Sequence, residues 1–280
     1  MPLVGVIYDG NEYTLDAARD LFATRDPNLR YTPELYSAII DTRQERNYIS
    51  TTTLTSKCLR QKSLQQDEDY YEDIDKMWAA FRGTMFHGQL EKHADAASVE
   101  EARFFVTLPN GLVLSGSPDL VDVERGILYD YKFTKEVPRW NTPWPDHGEQ
   151  CNVNRWLVDH AERVVWRGEE YTGKAVEDFR PEEWTDLVLV YMDDRGPKPL
   201  RVTKSIDIPK ADGKGTKKAR VSDIWSDEQA EEYINAKYAA ANEALNLGNL
   251  PPAPAGWEYQ SHVLCGYCPV RKNCAAHERG

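Results

Sequence analysis

The hydrophobic and polar positions along the chain predict strands that alternate with helices. Residues 103–108 and 112–116 are rich in apolar residues and flank Asn110-Gly111, which predicts a hairpin. Residues 186–192 are mostly apolar and predict a central strand, and residues 200–208 alternate and predict another strand. We therefore expect an α/β fold in which a mixed sheet is flanked by helices.

Helical spacing of apolar residues and capping residues predict the helices. These cover residues 14–23, 33–48, 50–66, 73–92, 149–161 and 226–247. The acidic stretch 67–73 predicts a solvated linker, and residues 138–145, with three prolines and two tryptophans, predict a loop.

A second hairpin carries the candidate chemistry. Residues 112–123 and 127–134 are apolar-rich and β-branched, and Arg125-Gly126 is a turn signal between them. If the turn has two residues, Glu124 pairs with Ile127. A turn one residue longer would point every side chain of one strand to the other face, so the prediction depends on this turn.

In that register Asp119 lies opposite Lys132, and Asp130 points to the same face because it is two residues from Lys132. Two carboxylates with a lysine beside them are typical of a metal site that hydrolyses phosphodiesters. The alternative is a surface hairpin with solvated charges.

The helix predicted over residues 73–92 supplies a further candidate ligand. His87 and Glu91 are four residues apart and share a helix face. Taken alone, a histidine at this position is more typical of packing or exposure. Beside the Asp119, Asp130 and Lys132 hairpin we expect it to be a metal ligand.

The order of these motifs resembles the RecB-like nucleases of the PD-(D/E)XK superfamily. The motifs are Gly83-x3-His87-x3-Glu91, Pro118-Asp119, Asp130-x-Lys132 and a helix that opens with Gln150. The resemblance covers about residues 83–157 and implies a restriction-endonuclease-like core. The chain departs from the family pattern at Asn154, where the family helix has a tyrosine.

The resemblance implies a divalent-metal site. Its implied ligands are His87, Asp119, Asp130 and the backbone carbonyl of Tyr131. Carboxylates suit Mg²⁺ or Mn²⁺, and an imidazole favours Mn²⁺. Lys132 is then expected to orient water or to stabilise charge on the phosphate, Gln150 to position substrate or water, and Glu91 to support His87.

Four of the five cysteines suit one four-thiolate site. Cys265, Cys268 and Cys274 have the spacing C-x2-C-x5-C, and Cys58 lies more than 200 residues earlier. Zinc and a [4Fe–4S] cluster both accept four thiolates. The one-plus-three pattern resembles the iron–sulfur branch of RecB-like nucleases, which includes the AddB nuclease domain and small CRISPR-associated exonucleases. Free or disulfide-bonded cysteines are the other alternative, and Cys151 is expected to pack as a small apolar residue.

We expect one nuclease domain whose N- and C-terminal parts are helical and joined by this cluster. The predicted parts are an N-terminal part (1–72), a nuclease core (73–208), a basic loop (209–220) and a C-terminal helix with the cysteines (221–280).

The distribution of charge modifies the meaning of the net charge of −12. Residues 198–220 hold eight basic and two acidic side chains, a net charge of +6, so the rest of the chain carries −18. Within it, residues 210–220 are rich in Gly and Lys and predict either a flexible loop that contacts phosphates or a solvated mobile loop. The candidate DNA contacts are Lys210, Lys214, Lys217, Lys218 and Arg220, with Trp140, Trp144 and Tyr131 as candidates for stacking on unpaired bases.

The expected activity is metal-dependent exonuclease cleavage of DNA, at single-stranded ends. The 5′-to-3′ polarity and partners such as a helicase or CRISPR-adaptation proteins come from the resemblance alone. The alternatives are a restriction-type endonuclease, a nuclease-fold adaptor without strong catalysis and a zinc-stabilised nucleic-acid-binding protein. The cysteine spacing, and the lack of a signal-peptide pattern or a long apolar run, predict a reducing cytoplasmic location.

Overall fold

The computed structural model describes residues 3–41, 49–56, 58–67, 69–90, 98–134, 137–139, 141–209, 216–246, 268–270 and 274. The chain divides into two compact units. The first consists of Met1–Asn47, Ser56–Met85 and Tyr238–Gly280, and the second consists of Tyr48–Thr55 and Phe86–Lys237. Each unit is therefore assembled from separate stretches of the chain.

The first unit contains a three-stranded sheet and several helices. Its strands, in the order β2-β1-β4, are β1 (Leu3–Tyr8), β2 (Asn11–Thr14) and β4 (Tyr70–Asp73). Its helices are α1 (Leu15–Ala23), α2 (Pro33–Asp41), α4 (Leu59–Asp67) and the first part of α5 (Ile74–Leu90). The predicted helices agree with α1, α2 and α5, and residues 42–48 and 91–97 lie outside the described part of the chain.

The core of the first unit is aromatic. Phe22 packs edge-on against Tyr8, with ring centroids 5.3 Å apart, and tilted against Tyr36 at 5.2 Å. The prediction of a linker over residues 67–73 is wrong for its second half. Residues 70–73 form β4, which pairs in parallel with β1. Tyr70 is buried there. Burial of this aromatic side chain favours the strand in spite of the acidic residues around it.

Two five-stranded sheets form most of the second unit. The β7 sheet has the order β11-β10-β6-β7-β3, and the β9 sheet has the order β13-β12-β9-β8-β5. The strands of the β7 sheet are β3 (Ile49–Ser50), β6 (Arg103–Thr107), β7 (Val113–Gly116), β10 (Arg163–Trp166) and β11 (Glu169–Thr172). The strands of the β9 sheet are β5 (Ser98–Glu100), β8 (Leu120–Asp122), β9 (Ile127–Phe133), β12 (Asp186–Asp193) and β13 (Gly196–Arg201).

The remaining elements of the second unit are a hairpin and helices. The hairpin strands are β14 (Thr203–Pro209) and β15 (Thr216–Ser222). The helices are α3 (Thr51–Leu54), α6 (Pro145–His160), a 3₁₀ segment (Gly173–Phe179) and the first part of α7 (Asp227–Asn246). Ser50 caps α3 and Ser226 caps α7, each through a hydroxyl that accepts a backbone N–H.

Several strand predictions are confirmed. The Asn110-Gly111 hairpin joins β6 to β7, and Gly111 has the positive φ of 81° that this turn requires. β12 is central, since it pairs in parallel with β9 and antiparallel with β13. The predicted helix 149–161 is α6, which begins earlier, with Pro145 at its first position.

Two strand predictions and one loop prediction are corrected. Residues 112–123 are not one strand, because β7 and β8 belong to different sheets and the chain changes sheet at Ser117-Pro118-Asp119. Residues 200–208 divide at buried Val202 between β13 and β14. The basic loop 209–220 is partly strand, since residues 216–222 form β15. Here alternating side chains on β14 and β15 favour a hairpin over a loop.

The hairpin that carries the candidate site has a longer turn than predicted. Asp122, rather than Glu124, pairs with Ile127, so residues 123–126 form a four-residue turn. Asp122 accepts the backbone N–H of Arg125 at 2.9 Å and stabilises this turn. The register therefore differs from the prediction by two residues, which leaves every side chain on its predicted face.

α6 packs on one face of the β9 sheet. Leu128, Leu187, Leu189 and Tyr191 of the sheet are buried with Cys151 of α6. Even-numbered residues of β9 point to this covered face. The buried location predicted for Cys151 is confirmed. Among the described residues, no helix is both long and apolar enough to cross a membrane.

Candidate active site

Asp130 and Lys132 form an ion pair on the covered face of β9. Lys132 Nζ lies 2.7 Å from Asp130 Oδ2, and Asp130 is only 3% exposed. Lys132 Nζ also donates to Gln150 Oε1 of α6 at 2.9 Å, and Gln150 Nε2 donates to Thr52 Oγ1 at 3.4 Å. The ammonium group is therefore fixed between a carboxylate and an amide whose orientation is itself set by a hydroxyl.

Asp119 lies just before β8 and is tied to the backbone of β9. Its Oδ2 accepts the backbone N–H of Tyr131 at 2.5 Å. Its backbone carbonyl accepts the N–H of Glu101 at 3.2 Å. These bonds fix the carboxylate of Asp119 beside Asp130-Tyr131-Lys132, as the hairpin predicted. The Tyr131 group that contacts Asp119 is its N–H, and metal ligation by its carbonyl stays a prediction.

His87 lies between two carboxylates. Its Nδ1 is 3.0 Å from Asp119 Oδ1 and 2.8 Å from Glu101 Oε1. One ligand atom from each of these three residues lies within 4.8 Å of the others, and among the described residues this is the one group of its kind. An imidazole and two carboxylates at this spacing have the donor chemistry of a site for a hard or borderline divalent cation.

Glu101 is the site residue that sequence reasoning missed. It follows β5 directly, and its φ of +50° is uncommon for a residue other than glycine. Ser117 Oγ donates to its carbonyl oxygen at 2.9 Å. The neighbouring Glu100 is buried and pairs with Arg167. The only sequence signal is the Glu100-Glu101 pair at a strand end, and it does not reveal which carboxylate turns towards His87.

The two carboxylates beside His87 favour a positive charge on its imidazole. Burial alone lowers the pKa of His87, but its hydrogen bonds to Asp119 and Glu101 raise that pKa to about 10. The two carboxylates therefore retain a proton on the imidazole. A divalent cation satisfies the same carboxylates and takes the place of that proton. The residues present thus fit a metal ion.

Lys132 keeps its charge in spite of burial. Desolvation lowers the pKa of Lys132, but Asp130 outweighs this effect and raises the pKa above its ordinary value. Burial raises the pKa of Asp130, against the lowering effect of Lys132. Lys132 therefore remains an ammonium ion, whose charge is balanced by the carboxylate of Asp130.

The structure thus separates the predicted metal ligands into two groups. His87 and Asp119 lie together with Glu101, while Asp130 is engaged with Lys132. Other predicted site residues lie outside the described part of the chain. These are Glu91, Trp140, Lys210, Lys214 and Cys265.

The predicted DNA contacts that are described have mixed surroundings. Lys217, Lys218 and Arg220 are exposed on β15. Lys218 pairs with Asp207 at 2.9 Å, and Arg220 Nη1 donates to the carbonyl oxygen of Asn141 at 2.5 Å. Trp144 packs within the protein instead of projecting from a loop. Its ring lies 5.3 Å from those of His147 and Tyr191.

The side chain of Asn154 is closed off from solvent. It is fully buried on α6, and neither its Oδ1 nor its Nδ2 has a hydrogen-bond partner among the described residues. A side chain in this position cannot touch DNA. The positioning role of the family tyrosine is therefore not transferred to position 154.

The described cysteines of the predicted cluster all lie in the first unit. Cys58 directly precedes α4. Leu64 of α4 packs with Tyr70, Val270 and Cys274, and Cys268 lies against this cluster. The C-terminal cysteines thus approach the helix that Cys58 introduces, although the two are separated by most of the chain.

A model of the PD-(D/E)XK nuclease superfamily matches residues 34–275. No curated protein matches the chain. The crystal structure of SSO0001 is similar, with 15% sequence identity, a TM-score of 0.48 and coverage of 86% of this chain and 93% of that one. Because the superfamily match spans the first and second units and contains the whole His87–Lys132 constellation, the chain belongs to the PD-(D/E)XK nuclease superfamily.

Proposed function

We propose that this protein is a metal-dependent DNA exonuclease that hydrolyses phosphodiester bonds at single-stranded ends. Members of its superfamily are typically metal-dependent nucleases. The observation that carries the proposal is that Asp119 of the His87–Glu101–Asp119 group accepts the backbone N–H of Tyr131, the residue between the paired Asp130 and Lys132. A solvated surface hairpin would not bury these charges or pair them in this way.

The proposed metal ligands are His87, Glu101 and Asp119, with Asp130 and the Tyr131 carbonyl completing the set. The oxygen donors suit Mg²⁺ or Mn²⁺, and the imidazole favours Mn²⁺. When bound, the metal supplies Lewis acidity at the scissile phosphate and activates water.

The protein's own residues have separate tasks in this proposal. Lys132 presents a fixed ammonium group that stabilises the negative charge developing on the phosphate oxygens. Gln150 accepts a hydrogen bond from Lys132 and thereby holds that charge in place. Because both side chains are fixed before substrate binds, little reorganisation is needed during the reaction.

The finer features of the activity rest on resemblance. The 5′-to-3′ polarity and a role in recombination, repair or CRISPR adaptation, with a helicase or adaptation proteins as partners, follow from the iron–sulfur relatives. The exposed basic residues Lys217, Lys218 and Arg220 on β15 are the proposed DNA contacts, together with Lys210 and Lys214.

We assign the second cofactor to Cys58, Cys265, Cys268 and Cys274, as ligands of a [4Fe–4S] cluster. The support is the packing of Cys274 and Cys268 around Leu64 of α4, the helix that follows Cys58. Such a cluster closes a very long loop of chain and stabilises the first unit. Zinc is the alternative metal for the same thiolates.

The test is digestion of end-labelled linear and covalently closed circular single-stranded DNA with Mg²⁺ or Mn²⁺. Wild type is compared with Lys132→Ala and with Lys174→Ala, which removes an exposed lysine of the 3₁₀ segment. We expect metal-dependent loss of linear DNA, no loss with Lys132→Ala and unchanged loss with Lys174→Ala. Release of the 5′ label before the 3′ label would support the proposed polarity.

Two outcomes would contradict the proposal. Cleavage of closed circles at the same rate as linear DNA would indicate an endonuclease. Intact linear DNA after incubation with folded wild type and either metal would support the adaptor function instead.

A further inference from the structure

An aromatic cluster lies directly beside the candidate active site. The rings of Tyr131 and Phe133 on β9 each lie 6.3 Å from the ring of Phe86 on α5. Phe86 precedes His87 in the chain, and Phe133 follows Lys132. The three rings, which we call the aromatic platform, are therefore one residue away from a candidate metal ligand or from the catalytic lysine.

The platform faces away from the covered side of the sheet. Successive side chains of a strand point to opposite faces, so Tyr131 and Phe133 lie opposite to Asp130 and Lys132. Phe133 is 44% exposed, and Phe86 and Tyr131 are half-buried. Three neighbouring aromatic side chains at a surface indicate a binding site more than scattered exposed residues do.

The position of the platform beside the candidate active site indicates which kind of ligand it binds. The ring of Tyr131 lies 6.5 Å from the imidazole ring of His87. A group stacked on the platform therefore lies beside a candidate metal ligand, although Phe133 and Lys132 point to opposite faces of the strand. The polymer that reaches Lys132 in the proposed function is a nucleic acid, and its bases are flat and aromatic. Phenylalanine and tyrosine rings stack on any base, without sequence preference.

We propose that Phe86, Tyr131 and Phe133 stack on unpaired nucleobases next to the scissile phosphate, and that Phe133 thereby selects single-stranded over duplex ends. Bases within a duplex are already stacked and paired, so their faces are not available to Phe133. This inference rests on the proposed nuclease function, since it takes the path of the substrate from that function.

The experiment measures binding without cleavage. Full-length protein is mixed with single-stranded DNA that carries a fluorescent 2-aminopurine near its 5′ end, in EDTA to withhold the catalytic metal. Stacking on a protein ring changes the fluorescence of this base. Wild type is compared with Phe133→Leu, which keeps an apolar side chain, and with Phe133→Trp, which keeps an aromatic ring. Tyr171→Leu on β11 is the matched control for loss of a partly exposed ring.

We expect Phe133→Leu to weaken single-strand binding about fivefold or more, the equivalent of one lost stacking contact. The fluorescence change should diminish with it. Phe133→Trp should have the single-strand affinity and the fluorescence change of wild type, and so should Tyr171→Leu. The affinity for blunt duplex should be the same in all four proteins. Circular dichroism of each variant shows that it is folded.

Three outcomes would overturn the inference. One is unchanged single-strand binding by folded Phe133→Leu, and another is equal weakness of Phe133→Trp, which would show that the ring itself is not needed. The third is an equal loss of duplex affinity. Because the assay needs no cleavage, failure of the nuclease proposal would appear separately, as intact DNA in the presence of metal.

Discussion

The imidazole Nδ1 of His87 lies 2.8 Å from Oε1 of Glu101, a residue fourteen positions further along the chain. This contact adds Glu101 to the ligand set implied by the sequence motifs, in which the carboxylates are Asp119 and Asp130. The structure thereby offers a test of which carboxylates hold the metal.

Replacing Glu101 with Gln should weaken metal binding, because an amide oxygen is a poorer and uncharged donor. We expect the Mn²⁺ concentration needed for half-maximal cleavage to rise about tenfold or more. Metal titrations of activity and isothermal calorimetry check this. Glu170→Gln, which removes an exposed carboxylate on β11, should change neither quantity. An unaltered metal requirement in Glu101→Gln would exclude Glu101 as a ligand.

Replacing Gln150 with Ala should affect the chemical step and leave metal binding unchanged. The variant removes the amide that holds Lys132 Nζ, so the ammonium loses part of its positioning. We expect kcat to fall about tenfold or more, while the half-maximal Mn²⁺ concentration stays at its wild-type value. A larger metal requirement with normal kcat would show that Gln150 acts on the metal instead.

Replacing Asn154 with Leu should stabilise the protein. The buried amide of Asn154 has no hydrogen-bond partner among the described residues, and an unsatisfied buried polar group costs about 1–3 kcal/mol. Urea denaturation should therefore show an increase in the free energy of unfolding of about 1–2 kcal/mol.

The control for that prediction lies two residues earlier on α6. Asn152 is equally buried, but its amide donates to the carbonyl oxygens of Gly148 and Asp223 and accepts the N–H of Trp225. Asn152→Leu should therefore destabilise the protein by about 1–3 kcal/mol. The same sign of change in both variants would refute the account based on hydrogen bonding.

Replacing Gly126 with Ala should disrupt the turn that aligns Asp119 with Asp130. Gly126 has a φ of +64°, and a Cβ there would lie 1.8 Å from the carbonyl oxygen of Glu183. Gly111 has a φ of +81° but open space around its Cα. We expect Gly111→Ala to cost about 1–2 kcal/mol for the left-handed conformation alone. Gly126→Ala should cost several times as much, measured by thermal unfolding, and equal costs would contradict the steric argument.

Replacing Cys58 with Ala should remove iron from the purified protein. Loss of one of four thiolates leaves a [4Fe–4S] cluster without a ligand, so the brown colour and the iron and sulfide content should fall. Cys151→Ala is the matched control, because Cys151 is buried beside Leu128 in the second unit. A colourless wild type that contains zinc would replace the iron–sulfur assignment with the zinc alternative.

Much of the fold and site follows from short-range patterns. Asp119, Asp130 and Lys132 share a side of the sheet because the alternation of side chains survives a turn that is two residues longer than predicted. The break of the predicted strand at Ser117-Pro118-Asp119 has one local signal, Pro118, which lacks the backbone N–H that a strand ladder needs. The apolar residues on both sides of it nevertheless predict one continuous strand. Which sheet each half joins is decided by long-range pairing.

Glu101 could not be identified from the sequence for a related reason. Its side chain reaches His87 because its backbone takes a left-handed conformation, and that conformation is set by contacts with Ser117 and Asp119, more than ten residues away. Alternation alone would assign Glu100 and Glu101 to opposite faces without saying which of the two carboxylates turns towards His87. Pairing between distant segments decided the question.

The unit that carries the site contains a short early segment, β3 with α3, whose neighbours in the chain belong to the other unit. β3 pairs in parallel with β7, and Thr52 of α3 accepts a hydrogen bond from Gln150. A fragment that starts at Phe86 would therefore leave an edge of the β7 sheet uncovered and Gln150 without this acceptor. Minimal catalytic fragments would have to be made by joining β3–α3 to the later segment or by circular permutation, since no single truncation of the gene yields the complete unit.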